Sequence, residues 1–488
     1  MPHFICLVTF TEQGSSQLGA TTKRAEAFAK RAAQLGAKVT IIEQEEVGGT
    51  CVNWGCIPSK VLQTTAGMLS RLQRAEDFGI MVDGAIYPDM ELLMSRKREV
   101  VRHQITGIRR LLDRHGIRLE KGFGFIKEAG LSVVNHPDGT SAEIPWDELI
   151  LAPGTRAANI PALTFDDRRI WSSNDALECL QIPQSIVVLG GGVIGCEFAF
   201  IFAQLGSQVT IVEALPRLLP HPSIDEACSK VLQREMKKQK IGLALNGTVR
   251  DVQTHDKGLR ITLGDPLRPH GDLEKDSRPQ VLEAEKLLVC VGRKPNTDKM
   301  GLRELGVQMD EQGWILADER MATSVSHVYA IGDVLGPAKT MLAHVASTEG
   351  RTAAENAMGI DCSMDYTAVP GAIFTAPEVA NVGLSEAQAR ELGHQVRSET
   401  VLFRNLGKAH AIGEIAGEAK IVADSESGKV LGVHIVGPHA TDLIAEGTLA
   451  IKMGATVKEV AETIHAHPTL SEIMLEGSLK ALGRAVHG

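Results

Sequence analysis

Hydrophobic and polar positions repeat one arrangement twice along this chain. AQLGAKVTIIE at 33–43 and AQLGSQVTIVE at 203–213 share the same order, 170 positions apart. Each reads as a helix end closed by glycine, then a strand that finishes on a glutamate. The second copy has its full approach, SIVVLGGGVIGCEFAFIFAQLG. An apolar strand at 186–189 runs into Gly190-x-Gly192-x-x-Gly195 and a helix, and Glu213 closes the next strand 23 residues after Gly190. This order predicts a dinucleotide-binding βαβ unit.

The glycines let the backbone approach a pyrophosphate, and the helix N-terminus stabilises its charge. Glu213 can accept hydrogen bonds from the adenosine ribose hydroxyls and repels a 2′-phosphate. NAD is therefore expected over NADP. The first copy keeps its helix, its strand and Glu43, but the same offset places Ala20, Thr22 and Ala25 where the glycines stand and SQLG where the strand stands. Either FICLVTF at 4–10 is the first strand and TEQGSSQLGATT a lengthened loop, or the first 25 or so residues have diverged or were misread upstream. A phosphate loop over 14–25 that lacks the G-x-G-x-x-G spacing is expected to hold its dinucleotide less tightly, so that the protein purifies partly free of it.

Beyond the echo, LILAPGTRAANIP at 149–161 reads as strand, turn and linker, and GDPLRPHGDLEKDSRPQ at 264–280 as a polar loop. VYAIGDV at 328–334 is an apolar strand ending on Gly332-Asp333. From about 366 the pattern changes to short strands, AKIVAD and VLGVHIVG, and then to the helices ATDLIAEGTLAIKMG and TVKEVAETIH. This predicts a separate α+β domain. The expected fold is α/β, with two Rossmann-like nucleotide-binding domains followed by that C-terminal α+β domain. The expected boundaries are 1–152 and 290–363 for the first nucleotide domain in two parts, 153–289 for the second, and 364–488 for the last.

Composition narrows the class of function. The chain has 488 residues, 43% hydrophobic and 4% aromatic, so its core is mostly aliphatic. A net charge of −9 argues against nucleic acid or an anionic membrane as the main partner. No apolar run reaches the ~18 residues of a spanning helix. MPHFICLVTF lacks a basic n-region and a small-residue cleavage site, and a cytoplasmic protein is expected. Eight cysteines stand at 6, 51, 56, 179, 196, 228, 290 and 362, with a single close pair. That is no secreted disulfide framework. It points to redox chemistry at Cys51 and Cys56, with the other six mostly buried. Thiols in the first turn of a helix are activated toward thiolate. A zinc half-site or two inert buried thiols are the alternatives. No further ligands stand at zinc spacing, and no metal is expected.

GGTCVNWGCIPSK resembles the redox-disulfide motif of the flavin-dependent pyridine nucleotide–disulfide oxidoreductases. GGGVIGCE, VGRKPN, YAIGDV, MLAH and HAHPTLSE are similar to that family in the same order, over roughly 26–488. HAHPTLSE most resembles the dihydrolipoamide dehydrogenases within it. A mercuric-reductase reading is disfavoured because the chain ends LKALGRAVHG without a cysteine pair. Glutathione reductases share a His-Pro-Thr motif but prefer NADPH.

The resemblance implies FAD and NAD as cofactors, a homodimer, and lipoyl domains of a 2-oxoacid dehydrogenase or glycine cleavage complex as partners. It implies that Cys51 exchanges with a dithiol substrate and that Cys56 faces the flavin. His467 would be the base, oriented by Glu472, both supplied by the partner subunit. Lys60 would lie near the flavin and pair with Glu197, a carboxylate in an otherwise apolar helix. Glu43, Gly124, Asp333, Met341 and His344 would contact FAD, and Gly190, Gly192, Gly195, Glu213 and Gly292 would contact NAD. His465 reads as structural. Two other readings compete: a disulfide reductase of the same fold with another substrate, and a flavin-poor inactive relative kept as a binding subunit. The intact quartet Cys51, Cys56, His467 and Glu472 argues against the latter.

Overall fold

A computed structural model describes residues 3–8, 38–158, 160, 163–264 and 280–486, with side chains from residue 38 onward. Two compact units divide the chain. The first comprises Met1–Gln63, Asp89–Ala158 and Gly292–Asp365, and the second Thr64–Pro88, Asn159–Val291 and Tyr366–Gly488.

The first unit is built on a parallel sheet in the order Val328–Ala330, Glu148–Ala152, His3–Val8, Lys38–Glu43 and Arg118–Lys121. A three-stranded antiparallel meander, Phe123–Glu128, Leu131–Asn135 and Ser141–Pro145, accompanies it. The second unit repeats this plan. Its parallel sheet runs Ile170–Trp171, Lys286–Val289, Ser185–Leu189, Gln208–Glu213 and Gly242–Leu245, with its own meander of Thr248–His255, Gly258–Gly264 and Val281–Ala284. Strand residues of the second unit's sheet, Val187, Val188, Ile211, Leu287 and Leu288, are all at most 2% exposed. Uninterrupted apolar runs belong in parallel strands covered on both faces.

The echo in the sequence is thus an echo in topology. Lys38–Glu43 and Gln208–Glu213 hold the same place in their sheets, and each ends on a buried glutamate, Glu43 and Glu213. The fixed offset fails at the preceding strand. His3–Val8 holds that position. Lys38 pairs with His3, 35 positions earlier, whereas Gln208 pairs with Ser185, 23 positions earlier. The strand of the FICLVTF reading is present as His3–Val8, and the lengthened loop of that reading lies outside the described residues. The proposed phosphate loop at 14–25 lies outside the described residues.

The second unit also carries an antiparallel sheet in the order Gly371–Ile373, Glu378–Gly383, Val430–Gly437, Glu418–Asp424 and Val396–Leu402. Its apolar face, including Val382, Ile421, Val433 and Ile435, forms one core with Ile444 of helix Ala440–Met453 and with Ile473 and Met474 of helix Glu472–Ala481. Alternating side chains of each strand supply that face. Cys179, Cys196 and Cys228 are buried as expected of small hydrophobes, whereas Cys290 and Cys362 are half-buried.

Candidate active site

Strand Lys38–Glu43 delivers its last residue to the carboxyl edge of the first unit's parallel sheet, where ligands bind in such folds. Glu43 is 1% exposed. Its Oε1 accepts the Glu45 N–H at 2.8 Å, and its Oε2 is buried with no hydrogen-bond partner among the described residues. Burial pushes the carboxyl up to about 7, against the lowering effect of the Glu45 N–H. An orphaned, buried acceptor at this edge fits a ribose hydroxyl.

The chain then turns through residues 44–48 into the cysteines. Gly48 sits at φ 96°, and a Cβ there would meet the Val52 Cβ at 2.7 Å, so only glycine fits. Glu46 pins this turn: both of its carboxylate oxygens lie 2.9 Å from Arg109 Nη2 on helix Met90–Arg114. Burial opposes ionisation of Glu46, yet the Arg109 guanidinium and the Val47 N–H hold its carboxyl below the usual range.

Cys51 lies in the first turn of helix Gly49–Trp54 and is 1% exposed. The helix breaks at Gly55, and Cys56, half-buried, is the first residue of helix Cys56–Leu72. Each thiol thus occupies the first turn of its own helix, the position where N–H dipoles favour a thiolate. Asn53, which pattern reading passed over, lies between them. Its Nδ2 donates to the carbonyls of Gly49 at 2.9 Å, Val47 at 3.3 Å and Glu46 at 3.4 Å, tying the turn to the helix that carries Cys51.

Elsewhere in the first unit, Asp333 opens a 3-10 turn, Gly332–Leu335, after strand Val328–Ala330, and is 3% exposed. Its Oδ2 accepts from Thr155 Oγ1 at 3.3 Å, and Thr155 Oγ1 accepts from Arg293 Nε at 2.6 Å. Glu349, 1% exposed, accepts the Gly332 N–H at 2.7 Å. Met341 precedes helix Ala343–Ala357, and His344 is exposed in its first turn. Gly124 lies in the meander opposite Val134. Gly292 stands at φ 76° beside the ribbon of Thr155–Ala157 and Arg293–Pro295, its carbonyl accepting the Ala158 N–H. Lys60 is half-buried on helix Cys56–Leu72 and belongs to the first unit.

In the second unit a Cβ on Gly195 would lie 1.9 Å from the Gly190 carbonyl oxygen, so the helix can start this close to the strand only with glycine. A Cβ on Gly192 would meet nothing within 4 Å, which leaves the mouth of the loop open. Glu213 accepts N–H groups of Gly191 at 2.6 Å and Leu215 at 2.8 Å, which holds its carboxylate against the glycine loop. Open loop, helix N-terminus and fixed acid fit a dinucleotide. Glu197, 8% exposed on helix Val193–Leu205, accepts the Phe374 N–H at 3.0 Å.

His467 and Glu472 lie in the same second unit, on the loop before helix Glu472–Ala481. His467 Nδ1 donates to Glu472 Oε1 at 2.8 Å, and Glu472 Oε2 accepts the Thr469 N–H at 3.0 Å. The imidazole is 76% exposed while Glu472 is 16% exposed. The proton on Nδ1 leaves Nε2 as the basic nitrogen, turned outward. His465, two residues earlier, is enclosed: Nδ1 lies 2.8 Å from the Thr463 carbonyl and Nε2 2.9 Å from Glu446 Oε1.

Residues 25–350 match the profile of the pyridine nucleotide-disulphide oxidoreductases, and residues 369–477 match the dimerisation domain of the same proteins. The chain belongs to this family. A dihydrolipoyl dehydrogenase of Haloferax volcanii is 40% identical over 459 residues, 94% of each chain. Those of Bacillus subtilis and Geobacillus stearothermophilus are 38% and 36% identical, again over 94% of this chain. Dihydrolipoyl dehydrogenases of the family use FAD and NAD. Among solved structures, LpdA from Mycobacterium tuberculosis shares the fold with a TM-score of 0.86 at 24% identity, covering 98% of this chain and 99% of that one. The HOCl-induced flavoprotein disulfide reductase RclA from Escherichia coli shares it with a TM-score of 0.80 at 23% identity, covering 98% and 99%. No helix among the described residues is long and apolar enough to cross a membrane.

Proposed function

We propose that this chain oxidises the dihydrolipoamide of lipoyl domains to lipoamide, with NAD as acceptor, as a cytoplasmic homodimer. The observation that carries this reading is the exposed His467, oriented by Glu472 at 2.8 Å, in a chain that also places Cys51 and Cys56 at two helix N-termini. The relatives' names support the substrate, and the dimerisation-domain match supports the dimer.

The residues divide the work as follows. His467 Nε2, acting in the site of the partner subunit, takes a proton from one substrate thiol. Only the thiolate attacks a disulfide. It attacks Cys51 of the Cys51–Cys56 disulfide, forming a mixed disulfide and releasing Cys56 as thiolate. The second substrate thiol, deprotonated in turn, attacks the substrate sulfur of that mixed disulfide, so lipoamide leaves closed and Cys51 leaves reduced. Glu472 steadies the imidazolium formed in between, and the first-turn dipole stabilises the Cys56 thiolate. FAD, when bound, would supply a two-electron acceptor for the reduced cysteines and a donor to NAD. Glu43, Asp333, Gly124, Met341 and His344 would hold FAD. Lys60 would place a cation near its ring. Gly190, Gly192, Gly195, Glu213 and Gly292 would hold NAD.

The test is a visible spectrum of the purified protein followed by steady-state turnover with dihydrolipoamide and NAD. A flavin spectrum with rapid, NAD-dependent oxidation of dihydrolipoamide is expected. A flavin spectrum with turnover on glutathione disulfide instead would assign another substrate. Absence of flavin after supplementation with FAD would favour a binding subunit.

A further inference from the structure

His465 belongs to the same loop as the base, yet the reaction described above has no use for it. Its side chain is 5% exposed, against 76% for His467. Both ring nitrogens face oxygen acceptors, the Thr463 carbonyl at 2.8 Å and Glu446 Oε1 at 2.9 Å. Glu446 lies on helix Ala440–Met453, 19 positions earlier in the chain, and is itself 33% exposed. An imidazole whose two nitrogens both lie against oxygen atoms is held in plane, and an N–H donated to the carboxylate makes that bond charge-assisted.

The loop from helix Val457–Glu462 to helix Glu472–Ala481 is fastened at both ends. At its start Thr463 Oγ1 donates to the Glu459 carbonyl at 2.8 Å. At its end Thr469 Oγ1 donates to the Ala466 carbonyl at 2.7 Å, and Thr469 N–H donates to Glu472. Between these ends Ile464 is 97% exposed and His467 reaches into solvent. His465 is the inward-facing side chain of that stretch, and Glu446 ties it to a helix packed on the sheet core.

We propose that Glu446 and His465 are positioning residues for His467. Glu472 sets the orientation of the His467 ring, and the Glu446–His465 pair sets where the loop carries that ring. This inference rests on the reading of His467 as the base for the dithiol. Displacing a catalytic group by about 1 Å costs up to ~10²-fold in rate.

The experiment compares Glu446→Ala and Glu446→Gln with the unaltered FAD-loaded dimer. Stopped-flow absorbance follows flavin reduction by dihydrolipoamide across pH, and separately by NADH, while sedimentation reports the dimer. Glu446→Ala should slow the dithiol half-reaction by roughly 10- to 100-fold and displace its pH midpoint, with the NADH half-reaction and the dimer unchanged. Glu446→Gln keeps an oxygen for the His465 Nε2–H. It should bring the rate back to within about threefold while retaining part of the pH displacement, because it lacks the charge. An unchanged dithiol rate and pH midpoint in Glu446→Ala would overturn the proposal, as would equal slowing of both half-reactions. If Glu446→Ala does not fold, Glu446→Gln decides: a displaced midpoint supports the proposal, and a wild-type midpoint with wild-type rate overturns it. A wild-type flavin that no dithiol reduces would count against the dithiol reading itself and remove this inference with it, an outcome visible before any variant is made.

Discussion

His467 Nδ1 lies 2.8 Å from Glu472 Oε1, with the carboxylate at 16% exposure and the imidazole at 76%. The acid is sheltered and the base is presented. His467→Ala should therefore slow flavin reduction by dihydrolipoamide by about 10²–10⁴-fold and leave flavin reduction by NADH near normal. Stopped-flow measurement of the two half-reactions checks this, and equal loss in both would remove His467 from the role of base. Glu472→Gln should fall between the two, because an amide still accepts from Nδ1 but does not balance an imidazolium.

Nucleotide choice should follow Glu213. Its carboxylate is held by the Gly191 and Leu215 N–H groups, where a 2′-phosphate would lie. The nearest following guanidinium, Arg217, donates to the carbonyls of Leu219, His221 and Ile224 and to Ser229 Oγ, so it is committed to its own loop. NAD should be used with a kcat/KM at least tenfold above that of NADP, of the order expected for roughly 1.4 kcal/mol of discrimination. Equal efficiencies in steady-state kinetics would contradict this.

A partly buried ionic cluster in the second unit should set its acid stability. Lys420 Nζ lies 3.1 Å from both oxygens of Asp225 and 2.6 Å from Glu386. The Lys420 ammonium holds the Glu386 carboxyl down to about 2. Burial opposes ionisation of Asp225, but the Ala227 N–H and Lys420 keep it below the usual range. Folded-state values below the unfolded ones give stability that is present above about pH 4.5 and lost as pH falls toward 2. Lys420→Met strands two carboxylates and should cost about 3–5 kcal/mol at neutral pH. Urea unfolding of this variant and the parent at pH 7 and pH 3 checks it. The gap between them should shrink at pH 3.

Glu43 predicts the opposite slope. With its carboxyl raised to about 7 by burial, the folded chain binds a proton that the unfolded chain has lost above 4.5. The contribution is fully present below pH 4.5 and declines as pH rises to about 7, by roughly 3 kcal/mol. Glu43→Gln should abolish that slope in flavin-stripped protein. It should also weaken FAD retention, because an amide is a poorer acceptor for ribose hydroxyls. Thermal melts across pH and equilibrium dialysis with FAD measure the two effects. A slope that persists in Glu43→Gln would show that another group titrates.

Within the second unit's glycine-loop segment, local pattern was enough. Glycine spacing and apolar runs located Gly190, Gly195 and Glu213 on a strand, loop, helix and strand because each of those contacts spans at most 23 positions. The C-terminal strands AKIVAD and VLGVHIVG appear as Glu418–Asp424 and Val430–Gly437 for the same reason. The motif GGTCVNWGCIPSK located both thiols, though not the break at Gly55 that gives each its own helix N-terminus.

Sequence alone therefore determined the strand, loop, helix and strand from Ser185 to Glu213 and the echoing strand Lys38–Glu43, since each is written in neighbouring residues, whereas the Cys51–Cys56 and His467–Glu472 pairs were legible through the resemblance of their motifs to the family. Tertiary structure decided that His3–Val8 stands beside Lys38–Glu43, because strand pairing is a through-space choice to which a fixed offset is blind. It also decided the partners of isolated polar residues: Thr155 with Asp333 across 178 positions, Lys420 with Asp225 across 195, and Glu446 with His465. A buried charge must find a counter-charge or a donor wherever the fold brings one, and nothing periodic in the chain announces which residue that will be.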